Sequence, residues 1–233
     1  GGFSGKEIIR RLAAVGKDPQ QLSAILVTHE HNDHIRGVGI LSRRLNLPVY
    51  ANPATHEAAA ARVGRLAQEK QFATGTSFSV GDLEVHPFSI LHDTVDPVGF
   101  TLSNGQQQLG YCTDIGKVTA MVRHHLSKCQ ALVLEANHDL QMLWDGPYPL
   151  KLKQRVQSSQ GHLENGAAAL LAADLREQAL QLVVFAHLSE TNNHPDQVRE
   201  TAATVLGPVD NALQVFLAEQ GAPLSLTGVP RSW

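Results

Sequence analysis

The stretch that most constrains this chain is "SAILVTHEHNDH", residues 23–34. An apolar run of β-forming residues stops on three histidines, a glutamate and an aspartate packed into six positions, which predicts a strand with a polar cluster at its end. Sheet folds gather their sites beyond strand ends. The texture recurs further on, where strands over 131–136 and 180–186 deliver Glu135 and run into His187. A chain that repeats it must pack helices on a sheet, so the expected class is α/β.

The remaining elements fit that class. Helices are predicted over 4–16, with Ser4 at the N-cap and Gly16 as the stop, and over 33–45, 53–65, 117–127, 164–177 and 195–206. Further strands are predicted at 48–51 and 213–218. Between residues 77 and 111 the alternating runs broken by Gly, Asp and Asn read as antiparallel strands, with "SNGQ" as a hairpin turn. No repeat, linker or low-complexity segment interrupts the pattern, which predicts one domain over residues 1–233. The chain starts almost on a helix, so it is expected to begin inside that domain.

Composition excludes several classes. The longest apolar stretches, "ALVLEA" and "QLVVFAHL", are too short to span a bilayer, and the first residues lack the basic-then-apolar layout of a signal peptide, so a cytoplasmic protein is expected. Cys112 and Cys129 match neither a zinc-knuckle spacing nor a disulfide framework and are read as buried thiols. A formal charge of −3 argues against gripping nucleic acid with the whole surface, so any such role needs a local patch. Twelve histidines are the anomaly, because imidazole is the commonest metal ligand.

In the turn leaving a strand, residues i and i+2 point the same way, so His29 and His31 can clasp one ion. Entry into the following helix turns Asp33 and His34 towards a second position. Three imidazoles and a carboxylate suit Zn²⁺ first, and Mn²⁺ or Fe²⁺ less tightly. Four side chains do not close two sites. Candidates for the rest are His92, Asp114, His138, His162 and His187, each in a loop elsewhere.

In chain order, "HEHNDH", "HDTVDPVGF", "YCTDIG", "LEANHD", "GPYPLKLKQR", "GHLEN" and "HLSETNN" resemble the motifs of the metallo-β-lactamase-fold hydrolases, whose hallmark is H-x-H-x-D-H. More narrowly they resemble the YycJ/WalJ-type branch, related to the phosphodiesterase PhnP and to RNase Z. The resemblance covers nearly the whole chain. It implies a four-layer αββα sandwich with a dinuclear site at one edge. It implies that His29, His31 and His92 hold one metal, that Asp33, His34 and His187 hold the other, and that Asp114 bridges them; Asp33 thereby joins the catalytic set. His162 falls where relatives keep a catalytic histidine that is not a ligand, and Glu135 matches the acid that orients it. His138 counts as an active-site residue without an assigned role, whereas His56, His86, His124, His125 and His194 read as surface. Family members carry further N-terminal strands and an Asp before the "GxS" that Gly2 to Ser4 resemble, so this chain is expected to be N-terminally incomplete.

Two metals can bridge a water, lower its pKa and neutralise charge on phosphodiesters, thioesters, lactones or β-lactams alike. A phosphodiester also needs a proton for its leaving alkoxide, and His162 held by Glu135 can supply it. Residues 147–160 carry Lys151, Lys153 and Arg155 without an acid, either as a track for a phosphate backbone or as a solvated face. Trp144 and Tyr148 can stack on a base or simply pack. Ser189, Thr191, Asn192 and Asn193 can meet a terminal phosphate. Only 72 residues separate Asp114 from His187, too few for the extra domain of RNase J-type nucleases, and the absence of a long flexible arm disfavours tRNA processing.

The expected activity is a two-metal phosphodiesterase acting on DNA, and the branch resemblance implies a 5′-to-3′ exonuclease, with Asn193, Ser189 and Lys153 as substrate contacts and no membrane partner. A glyoxalase II-like thioesterase or lactonase is the alternative. It predicts a basic C-terminal helical region where this chain reads "GAPLSLTGVPRSW". An inactive relic without its N-terminal strands is the third reading.

Overall fold

The structure, a computed structural model, describes residues 1–207 and 213–224. The end of the "GAPLSLTGVPRSW" stretch, residues 225–233, lies outside the described residues. Helices and mixed sheets form two compact units, Gly1–Ser89 with Thr94–Val98, and Ile90–Asp93 with Gly99–Trp233.

The first unit opens with α1 (Gly5–Ala14), whose N-cap Ser4 Oγ accepts from the Glu7 amide. A parallel sheet follows from β1 (Ile25–Leu26), β2 (Pro48–Ala51) and β3 (Gln68–Gln71), in that order. The helices α2 (Asn32–Ile35), α3 (Val38–Leu45) and α4 (Pro53–Val63) lie between these strands in sequence. Their apolar faces join the sheet in a core of Val27, Ile35, Val38, Val49, Ala51 and Ala59. A hairpin of β4 (Phe78–Val80) and β5 (Leu83–Ser89) turns at Gly81, whose φ of 57° is open to glycine.

Three expectations change here. The strand expected to lead into the histidine cluster keeps only Ile25 and Leu26 in the ladder, although Val27 still donates to Tyr50 O and Thr28 O accepts from Val98 N. The helix over 33–45 breaks at Gly37, whose amide donates to Gly1 O at 2.7 Å instead of continuing the helix. His56 is buried, its Nε2 3.0 Å from Lys70 O, so it is a packing residue of α4 and not a surface one. Strand β3, with the sequence QEKQ and exposed throughout, has no apolar alternation by which a sequence pattern could find it.

The second unit contains β6 (Val98–Ser103) from Gly99 onward, β7 (Gln108–Cys112), β8 (Ala131–Glu135), β9 (Leu182–Ala186) and β10 (Gln214–Leu217), side by side in chain order. The β6–β7 hairpin is antiparallel through the expected turn, where Asn104 Oδ1 accepts from the Gln106 and Gln107 amides. From β7 to β10 every pairing is parallel. Helix α5 (Ala120–Leu126) follows β7, and α8 (Asn165–Arg176) packs with α9 (Pro195–Leu206). Two helices were not expected, α6 (Leu140–Asp145), capped by Asp139 Oδ1 on the Met142 amide, and α7 (Leu150–Gln157). The basic strip is therefore helical, with Leu152 and Val156 turned inward at i, i+4 spacing. No helix among the described residues is long and apolar enough to cross a membrane.

Candidate metal centre

Because β7, β8 and β9 are parallel neighbours, their C-terminal ends share one edge of the sheet, with Cys112 beside Leu134 and Glu135 beside Ala186. Asp114, Glu135 and His187 leave from that edge. Asp114 and His187 have φ values of 58° and 59°, and the third non-glycine residue with positive φ among the described residues is Asn46, a helix cap. A β-carbon makes this region costly, and residues held there concentrate at functional sites.

What holds them is a mesh of loop contacts. Asn137 Nδ2 donates to His187 O at 3.0 Å, and the Ser189 amide donates to Asn137 O at 2.8 Å. The Asn193 side chain is buried and donates to Ala136 O, Asn137 O and Asn165 Oδ1, while its oxygen accepts from Asn165 and from the His194 amide. All its polar atoms are committed inside the protein, so Asn193 braces the loop and is removed from the expected substrate contacts.

Glu135 is fully buried and saturated. One carboxylate oxygen accepts from the Ile115 and Leu163 amides at 3.0 and 2.9 Å, and the other lies 2.9 Å from His162 Nδ1 and 2.7 Å from His187 Nδ1. Burial alone would raise its pKa; the bonds to His162 and His187 and their charges outweigh burial and hold it at about 2. For His162, burial pulls the pKa down, but Glu135 and Asp114 more than offset it and the net shift is upward. Desolvation dominates at His92, whose pKa is lowered, and at His138, lowered to about 4.

His92 Nδ1 lies 3.0 Å from Gly161 O, and His187 Nδ1 faces Glu135. Both rings therefore present Nε2 to Asp114, each 3.6 Å from Oδ1. Two donor atoms on one tetrahedral zinc ion stand roughly 3.4 Å apart, given bonds of about 2.1 Å. Fixing Nδ1 with an acceptor while Nε2 faces outward is how proteins prepare histidine for a metal. The donor set thus fits divalent metal. One ligand atom from each of Asp114, Glu135, His162 and His187 lies within 4.8 Å of the others, but the four bonds on Glu135 make it an orienting group.

Glycine makes the close packing possible. A β-carbon on Gly161 would stand 2.2 Å from Arg155 O and Val156 O, and one on Gly116 would stand 2.4 Å from Ser159 O. That packing sets the carbonyl which receives His92.

In the first unit, the H-x-H-x-D-H residues lie close together. His29 is fully buried, with its ring centroid 4.9 Å from His31 and 4.2 Å from His34. The Thr28 hydroxyl lies 3.0 Å from His29 Nδ1 and 3.4 Å from His34 Nδ1. Asp33 is exposed, and its carboxylate is 3.7 Å from His34 Nε2. Thr28 was not singled out in the sequence, although its place directly before the cluster is the available signal.

Of the other candidates, Ser189 Oγ accepts from the Thr191 and Asn192 amides. Lys153 Nζ donates to Trp144 O, and Arg155 pairs with Asp93 at 2.6 Å. Two of the three cations in the basic strip are thus engaged within the protein. Trp144 is exposed and Tyr148 half-buried.

Residues 4–188 match the family described as the beta-lactamase superfamily domain. The chain is 36% identical over 207 residues to exodeoxyribonuclease YycJ of Bacillus anthracis, covering 88% of this chain and 78% of that protein. It is 33% identical over 213 residues to exodeoxyribonuclease WalJ of Streptococcus pneumoniae, covering 90% and 79%. The metallo-beta-lactamase fold protein YhfI of Bacillus subtilis is similar in structure, with a TM-score of 0.66 at 19% identity over 86% of this chain and 77% of that one.

Proposed function

The chain belongs to the beta-lactamase superfamily, and on that footing we propose that it is a metal-dependent exodeoxyribonuclease that hydrolyses DNA phosphodiester bonds from the 5′ end. Two divalent ions, zinc foremost with manganese or iron as alternatives, would be held by His29, His31 and His92 and by Asp33, His34 and His187, together with Asp114. When bound, such ions supply positive charge to the reacting phosphate and a water acidified towards neutral pH. DNA as substrate and the two free, buried thiols, Cys112 and Cys129, are consistent with action in the cytoplasm.

One observation carries the phosphodiesterase reading. His162 is half-buried, tied through Nδ1 to the ionised Glu135, and that same nitrogen is 3.9 Å from the Asp114 carboxylate. With Nδ1 held, Nε2 is the atom that moves a proton. An imidazole made more basic by a buried carboxylate binds its proton more readily and can release it to a departing alkoxide. Glu135 positions both His162 and His187, so proton donor and ligand are set by one side chain.

The test is a substrate panel for the metal-loaded protein: 5′-labelled single-stranded and duplex DNA, bis-p-nitrophenyl phosphate and S-lactoylglutathione. Release of 5′ mononucleotides is expected, and turnover of the thioester alone would sink the proposal. His162→Ala should keep its metal and lose roughly 100-fold or more in phosphodiester turnover, the usual scale of a lost general acid. Asp114→Ala should lose metal; equal metal loss in both variants would refute the role given to His162.

A further inference from the structure

The second unit holds a cavity of about 360 Å³ with His162 in its wall. Leu163, Leu170 and Leu171 give it apolar surface, while Lys117, Glu164 and Gln157 add polar groups. A volume near the low end of small-ligand sites leaves room for one nucleotide-sized molecule.

His138 also lines this cavity. Its side chain is 1% exposed, yet neither ring nitrogen has a hydrogen-bond partner among the described residues. Buried polar atoms are nearly always satisfied, so two unmet nitrogens on a residue of the cavity wall call for a ligand or water. Burial keeps the ring neutral, with a pKa of about 4, so one nitrogen donates while the other accepts. Its main chain is fixed, with His138 O accepting from the Asn165 amide and a bridge to Glu164.

We propose that this cavity receives the nucleoside of the departing nucleotide, with the base against the leucine surface and its polar edge on His138. The proposal rests on the nuclease reading above, because His162, the donor to the leaving oxygen, forms the wall shared with the reacting centre. A base is flat and apolar on its faces and carries donors and acceptors together on its edge. A neutral imidazole and the Glu164 carboxylate match that edge, and Lys117 supplies a cation for the phosphate. Arg123, also in the lining, is paired with Asp174 and is not needed.

The test is calorimetric titration of the full, metal-loaded chain with the four deoxynucleoside monophosphates and with 2-deoxyribose 5-phosphate, which keeps the sugar and phosphate but lacks the base. Monophosphates should bind at least tenfold more tightly than the sugar phosphate. Ala167→Trp, which fills the cavity from α8, and His138→Phe should each remove that preference. His138→Gln should restore part of it. Thermal unfolding of each variant checks folding, and the wild-type comparison decides the matter even if a variant does not fold. DNA hydrolysis by a wild type that shows no base preference, or a preference untouched in folded Ala167→Trp and His138→Phe, would overturn the pocket and leave the nuclease. A preference lost in the variants, in a protein that does not cleave DNA, would keep the pocket and remove the nuclease.

Discussion

Glu135→Gln is the sharpest single perturbation available, because the replacement keeps the shape and removes only charge and one acceptor. The wild-type carboxylate accepts four hydrogen bonds, two from amides and two from imidazoles. The Ile115 and Leu163 amides cannot stop donating, so the glutamine oxygen must face them and its NH₂ must face the two rings. Both imidazoles must then accept through Nδ1 and carry their protons on Nε2. Bonds to a charged group are worth about 1 kcal/mol more than neutral ones, so four such exchanges, partly relaxed, cost about 3 kcal/mol. For His187, a proton on Nε2 sits on the nitrogen that faces Asp114, which should weaken metal binding roughly 10- to 100-fold.

Urea unfolding of chelator-treated protein and competitive metal titration measure the two effects. The pH sign follows from the depressed pKa of Glu135. Its contribution is complete above the unfolded carboxyl value of 4.5 and is lost as pH falls towards about 2. The stability gap between wild type and Glu135→Gln should therefore shrink on acidification through that window. Equal stability at pH 7, or a gap that widens below pH 4.5, would refute the tautomer argument.

Other positions give independent checks. Asn193→Ala should lose about 2–3 kcal/mol in urea unfolding, because it strips partners from buried carbonyls and from Asn165; reduced activity with unchanged stability would reinstate it as a substrate contact. Gly2→Ala places a β-carbon 1.4 Å from Asp33 O and should lower both melting temperature and metal affinity, whereas wild-type values for both would show that the segment yields freely. Cys112 and Cys129 are buried with their thiol pKa values raised, Cys129 to about 12, so neither should react with Ellman's reagent at pH 8 until the chain unfolds. Stoichiometric labelling of the native protein would contradict that burial.

The sequence alone determined the elements with strong periodicity and the ligand types that follow them. Residues 131–134 and 182–186 were legible as buried strands, being short apolar runs rich in β-branched residues and leucine between helical segments. His29 to His34 were legible as a cluster because the backbone between them is too short to separate them.

Tertiary structure decided everything that depends on partners distant in sequence. Nothing near Asn193 indicates that Ala136, Asn137 and Asn165 would claim its amide, or that Asp93 and the Trp144 carbonyl would take up Arg155 and Lys153. The helix over 33–45 breaks because Gly37 meets a carbonyl from the start of the chain, a contact with no local signature. The family resemblance implied that Glu135 and His162 share a site, but only the parallel register of β7, β8 and β9 puts one carboxylate between two imidazoles and two amides. Periodicity reports which face of an element is buried; which polar groups meet at its end is set by the register of strands far apart in the chain.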